Sequence, residues 1–146
     1  MSKKFRTGER GSTLVEFSIA ATVFLTAMFG VIEFGRALWV HNALTDAARR
    51  GARYAVTHSS GDEAKVKNVV VYGDPNGGAK PLIPNLSTTN VTVNYSNFAL
   101  NKGTATVGID NYKFKFVIPI VGKTITMPKY STTLTGESVG WIPKDM

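Results

Sequence analysis

Sixteen consecutive residues, Phe17 to Ile32 (FSIAATVFLTAMFGVI), carry no charge, and no other feature of the chain narrows its folding options as much. Counted from Ser12, the stretch reaches 21 residues with Glu16 as its one charge. As a helix rising about 1.5 Å per residue it spans roughly 30 Å, the thickness of a bilayer's hydrocarbon core. Such a run predicts a membrane-crossing helix near the N-terminus. Glu16 is then an anomaly, because a carboxylate in apolar surroundings is costly unless something pairs with it.

Residues 1–11 form a basic leader, with Lys3, Lys4, Arg6 and Arg10 against Glu9 alone. That excess holds the start of the helix in the cytoplasm and sends the rest of the chain across. A secretory signal peptide has the same basic start and apolar centre, but it needs a small-residue cleavage site after the centre. Here the run passes instead into FGRALWVHNALTDAARRGARYAV, which keeps helical character. A cut between Gly11 and Ser12 accounts for Glu16 better. It makes Glu16 the fifth residue of the new chain and frees an amine on Ser12. A carboxylate so placed pairs with that amine on a neighbouring subunit, which offsets its desolvation.

Beyond the apolar run, residues 33–58 keep a helical pattern. Ala43, Ala47, Gly51 and Ala55 recur every four residues, and Ala48 and Ala52 repeat the spacing alongside. Positions four apart share one helix face, so the small side chains form stripes that admit close approach. The stripe serves either this chain's own sheet or a neighbouring subunit. Glu33 and Arg36 are three apart and placed to pair where the chain leaves the lipid. Ser12 to Val56 makes a helix of about 65 Å, with Gly30, Gly35 and Gly51 as points where it could bend or break.

From Ser59 the pattern changes. Val66–Tyr72 is a short β-prone run, and residues 73–90, with three prolines and three glycines, read as a long loop. Val91, Val93 and Tyr95 alternate with polar residues as a half-buried strand does. Thr104–Ile109 is a second strand. Tyr112–Ile118 is a third, with Tyr112, Phe114 and Phe116 on one face and Lys113 and Lys115 on the other. Lys123–Met127 and Tyr130–Val139 complete the set. Four or five adjacent strands with short turns predict one antiparallel sheet, with a face covering the second half of the helix. The expected organisation is a leader at 1–11, a long helix at 12–58 and a β-rich exposed domain at 59–146, an α+β fold.

Little in the chain speaks for catalysis or a cofactor. There is no cysteine, so neither disulfides nor thiol chemistry arise. The net charge of +7 is spread out, and Arg49, Arg50 and Arg53 sit among small residues rather than aromatics, which argues against nucleic-acid binding. Gly122-Lys123-Thr124 has Val117 where a phosphate loop needs its first glycine. Asp74-Pro75-Asn76-Gly77-Gly78 lacks the alternating acids of a calcium loop and reads as a turn. His41 and His58 stand 17 apart with no acids at metal spacing, His41 on a helix surface and His58 near the helix end. No catalytic serine arrangement is present, so the expectation is a non-enzyme without cofactor or metal.

The combination of basic leader, Gly11, Ser12-Thr13-Leu14-Val15, Glu16-Phe17 and an apolar helix resembles the type IV prepilins. More closely it resembles the TadE-like pseudopilins of the tight-adherence (Flp) pilus. The resemblance continues through Ile32-Glu33-Phe34-Gly35-Arg36, then Ala43-Leu44-Thr45-Asp46-Ala47-Ala48-Arg49 and Gly51-Ala52-Arg53-Tyr54-Ala55, covering roughly residues 8–58. It implies a prepilin peptidase cutting after Gly11, with Gly11 and Ser12 as the processing site and Glu16 and Phe17 serving recognition or assembly. It implies other pilin or pseudopilin subunits as partners. It also implies a single pass of the bacterial inner membrane, with the C-terminal domain outside the cytoplasm and later at the cell surface. A subunit this long after the helix is similar to minor pilins rather than to the short major Flp pilins. Two rival readings are an uncleaved single-pass scaffold with a periplasmic β domain, and a surface adhesion module using loop 73–90.

Overall fold

The computed structural model describes residues 9–58, 60–99, 102–117 and 124–136. The chain is α+β, with a long N-terminal helix whose later residues pack on a small antiparallel sheet. Helix α1 runs from Glu9 to Thr57, 49 residues, with no break at Gly30, Gly35 or Gly51. The chain nonetheless divides into two compact units, one ending at Arg36 and one beginning at Ala37.

The first unit is described by α1 alone. From Gly11 to Ile32 every side chain is exposed except Ala21, which is half-buried. Phe17, Val23 and Phe24 each keep about two thirds of their surface open. A helix satisfies its own backbone hydrogen bonds, so this segment needs no partner to satisfy its main chain, only an apolar medium for its side chains.

The second unit has its own core. Val40, Leu44, Ala47, Ala48, Ala52 and Ala55 of α1 enter it together with valines from a second helix and the inner faces of the strands. That second helix, α2, spans Glu63–Tyr72 and corrects the β-prone reading of Val66–Tyr72. β-branched residues favour strands only weakly, and packing overrides them. Val66, Val69 and Val70 fall on one helical face and are buried there. Gly73, at φ 81°, closes the helix, and its N–H donates to the Val69 carbonyl. The Arg50 Nε donates to the same carbonyl at 3.3 Å, which ties α1 to the end of α2.

Residues 73–87 form a loop pinned by the buried Ile83 and Leu86, followed by a 3-10 turn at Thr88–Asn90 capped by Ser87. Within the loop, Asp74 is spent on its own turn, accepting from the Asn76 N–H at 2.8 Å. Strands β1 (Val91–Ala99) and β2 (Lys102–Ile109) pair antiparallel, with Val93 opposite Val107. Next, β3 (Lys113–Lys115) and β4 (Thr124–Thr126) form a separate two-stranded sheet, and β5 (Tyr130–Thr135) returns beside β2. The expected single sheet is therefore two, a β1-β2-β5 sheet and a β3-β4 hairpin.

The physical reason lies after β2. Asp110 and Asn111 turn the chain, Asn111 at a left-handed φ of 55°. Tyr112 and Phe114 then sink into the core, leaving the place beside β2 to β5. Tyr112 Oη donates to the Pro84 carbonyl at 2.7 Å, and Met127 N–H donates to the Tyr112 carbonyl. The alternation read from Tyr112, Phe114 and Phe116 holds, with Lys113 and Lys115 exposed. Ile118, Lys123 and residues 137–139, placed in strands by sequence, lie outside the described residues, as do leader residues 1–8.

Candidate functional site

The sequence directs attention to α1, and its two ends differ in environment. Gly11, Ser12, Glu16 and Phe17 all lie on α1 and all are exposed. Glu16 has no hydrogen-bond or ion-pair partner among the described residues. A Cβ added at Gly11, Gly30 or Gly35 meets no atom within 4 Å.

Three hydroxyls line the same apolar stretch. Ser18, Thr22 and Thr26 each donate to the carbonyl four residues earlier at 2.8 Å. Together with Gly30 they form a stripe at four-residue spacing, bordered by a shallow groove over Leu14, Val15, Ile19 and Val23. The hydroxyls are satisfied inside the helix, so burial in lipid or against another helix leaves none unpaired. Composition alone concealed this stripe, but the spacing of the hydroxylated residues in the sequence displays it.

The acid that is buried is Glu33 rather than Glu16. Glu33 is 5% exposed and forms an ion pair with Arg36 one turn later, amid exposed Val31, Ile32 and Phe34. Burial of a carboxylate requires such a partner.

The small-residue stripe lies in the second unit. Ala47, Gly51 and Ala55 are buried, and Ala43 is half-buried against the core. At Gly51 an added Cβ stands 2.3 Å from Val70 Cγ2 and 3.2 Å from Val107 Cγ1, so α2 and β2 close on the bare backbone. His41 lies on the surface, but its Nδ1 shares a 2.8 Å hydrogen bond with Tyr130 Oη, and the rings meet edge-on at 5.2 Å. This link between α1 and β5 spans 89 positions and has no signature in the sequence. Burial pushes the phenol of Tyr130 above its ordinary 10.0. The Tyr95 phenol is also raised, by burial first and then by Glu63 and Asp62.

A long, exposed, apolar helix continuous with the core helix of a small α+β domain defines a class, that of proteins with a helix long and apolar enough to cross a membrane, one such helix being present among the described residues. Residues 11–53 match the model of the family described as TadE-like protein, so this stretch of α1 is similar to that family. The match ends inside α1, before α2 and the strands. No curated protein and no solved structure matches the chain.

Proposed function

We propose that the chain is a structural minor pilin, a pseudopilin of the Flp pilus. It is made as an inner-membrane precursor, cut by a prepilin peptidase between Gly11 and Ser12, and assembled through its apolar helix with other pilin subunits. The observation that carries this reading is the run of exposed apolar side chains from Ser12 to Ile32 within the TadE-like match. Burying that face in lipid, and then against neighbouring helices, removes large apolar side chains from water at about 25 cal/mol per Å². The Ser18, Thr22, Thr26 and Gly30 stripe suits close helix contact, and Glu16 supplies the carboxylate that pairs with the new Ser12 amine of a neighbour. The sheet domain stays outside the cytoplasm.

Intact mass and N-terminal sequencing of the protein from native membranes, with and without the peptidase, tests this reading. A peptidase-dependent start at Ser12 is expected. A start at Met1 in both cases overturns it in favour of an uncleaved single-pass scaffold.

A further inference from the structure

The uncharged run Phe17–Ile32 is 16 residues long. As a helix that is roughly 24 Å, short of a hydrocarbon core of about 30 Å. The apolar surface of α1 does not end with the run. Phe34 is 66% exposed, Leu38 48% and Trp39 57%. After Trp39 no large apolar side chain of α1 is exposed among the described residues, and the exposed positions are polar, His41 and Asn42 first. The outer surface of α1 therefore changes from apolar to polar at Trp39, seven residues past Ile32. An indole joins a large apolar ring to one N–H donor, which suits the layer where lipid tails give way to headgroups.

We propose that Trp39 anchors α1 in a phospholipid headgroup layer, and that this anchor sets the depth of the whole helix and keeps Glu16 out of the hydrocarbon. The inference rests on the membrane-spanning reading of α1. Helix α1 is unbroken from Glu9 to Thr57, so depth along it follows from the rise per residue, and the sheets take no part. With Trp39 among the headgroups, Leu38 is the last residue in hydrocarbon, and a span of about 20 residues begins at Ile19. Glu16 then lies about 5 Å outside the opposite edge, in the other headgroup layer, with its carboxylate hydrated. A span beginning at Ser12 does the reverse. It puts Glu16 inside the hydrocarbon and leaves Trp39 about 10 Å past the far edge, beyond a headgroup layer of about 5–8 Å. A lone carboxylate in lipid is the costlier arrangement. In the Trp39 register Glu33 and Arg36 enter the lipid as an ion pair, with Arg36 within one turn of the headgroups. Glu16 then needs a protein partner only when assembly draws α1 out of the bilayer.

Trp141 is the chain's other tryptophan, so Trp141→Phe leaves Trp39 as the single emitter. The full chain with that change is reconstituted in phosphatidylcholine vesicles containing phospholipid brominated either near the headgroup or near the chain end. Phe17→Trp and Phe29→Trp, each combined with Trp39→Phe and Trp141→Phe, are the companion probes. Emission from Trp39 and from the position 17 probe should be quenched more by bromines near the headgroup. The position 29 probe, near the middle of the proposed span, should show the opposite order. Trp39 quenched by aqueous iodide and not by bromines overturns the anchor, and a position 29 probe still in lipid then leaves the spanning helix intact. All three probes in water overturn both readings. Trp39 or the position 17 probe quenched most by chain-end bromines overturns the proposed depth. Shielding of Trp39 that follows protein density rather than bromine position assigns the indole to a second copy and also overturns the inference.

Discussion

Gly51 is the residue on which the second unit closes. Val70 is β-branched and stiff, so a methyl group at 2.3 Å forces backbone to move. Gly51→Ala should therefore destabilise the protein by about 1–3 kcal/mol, read from thermal or denaturant unfolding, although alanine is the better helix former. Gly11 works in the opposite sense. It stands in the first turn of α1, where glycine weakens the helix by about 1 kcal/mol relative to alanine. If the chain is processed as proposed, local opening presents the Gly11–Ser12 bond to the peptidase, so Gly11→Ala should slow cleavage at least fivefold in a timed processing assay. At Tyr130 the folded state favours the neutral phenol. Stability is then full below the ordinary value of 10.0 and falls as pH rises through the higher folded value, because the unfolded chain loses the proton first. Melting temperatures between pH 9 and 12 should drop less steeply in Tyr130→Phe, which at neutral pH costs about 0.5–1.5 kcal/mol through the lost His41 bond.

The elements differ in how far their sequences declared them. Helix α1 was legible because its signals act locally: an uncharged run, then alanines and glycines at four-residue spacing. Strands β1 and β2 were legible through alternation, Val91 and Val93 inward, Thr92 and Asn94 outward. Helix α2 was not, since valine's weak strand preference outweighed the Val66, Val69 and Val70 spacing and the glycine after Tyr72, the two features that mark the helix. The split into two sheets was also hidden, because it depends on Asn111 turning left-handed and on which strand reaches β2 first. Neither leaves a mark in composition. Of the candidate site, the apolar run was legible, while the burial of Glu33 beside Arg36 was not. Along α1, Gly30 and Gly35 have open space around them, so Gly30→Ala and Gly35→Ala should leave helicity, read by circular dichroism, unchanged or raised. If another helix packs there, the same substitutions should abolish pilus assembly as counted by electron microscopy.

At the scale of the whole molecule, two units share one helix. The second unit takes a large part of its core from Val40, Leu44, Ala47, Ala48, Ala52 and Ala55, all on α1. A fragment beginning at residue 60 lacks these side chains, so its strands keep only α2 and the 73–87 loop to bury against. It should give no cooperative thermal transition and rapid amide exchange throughout, whereas the full chain in detergent melts cooperatively. This sharing also sets an order of events during synthesis. On the proposed single-pass topology the ribosome delivers α1 first, and the segment it leaves beyond the bilayer is part of a core awaiting its complement. On that topology each strand that crosses afterwards meets a template already fixed at the membrane, so the domain folds onto its own anchor instead of searching in solution.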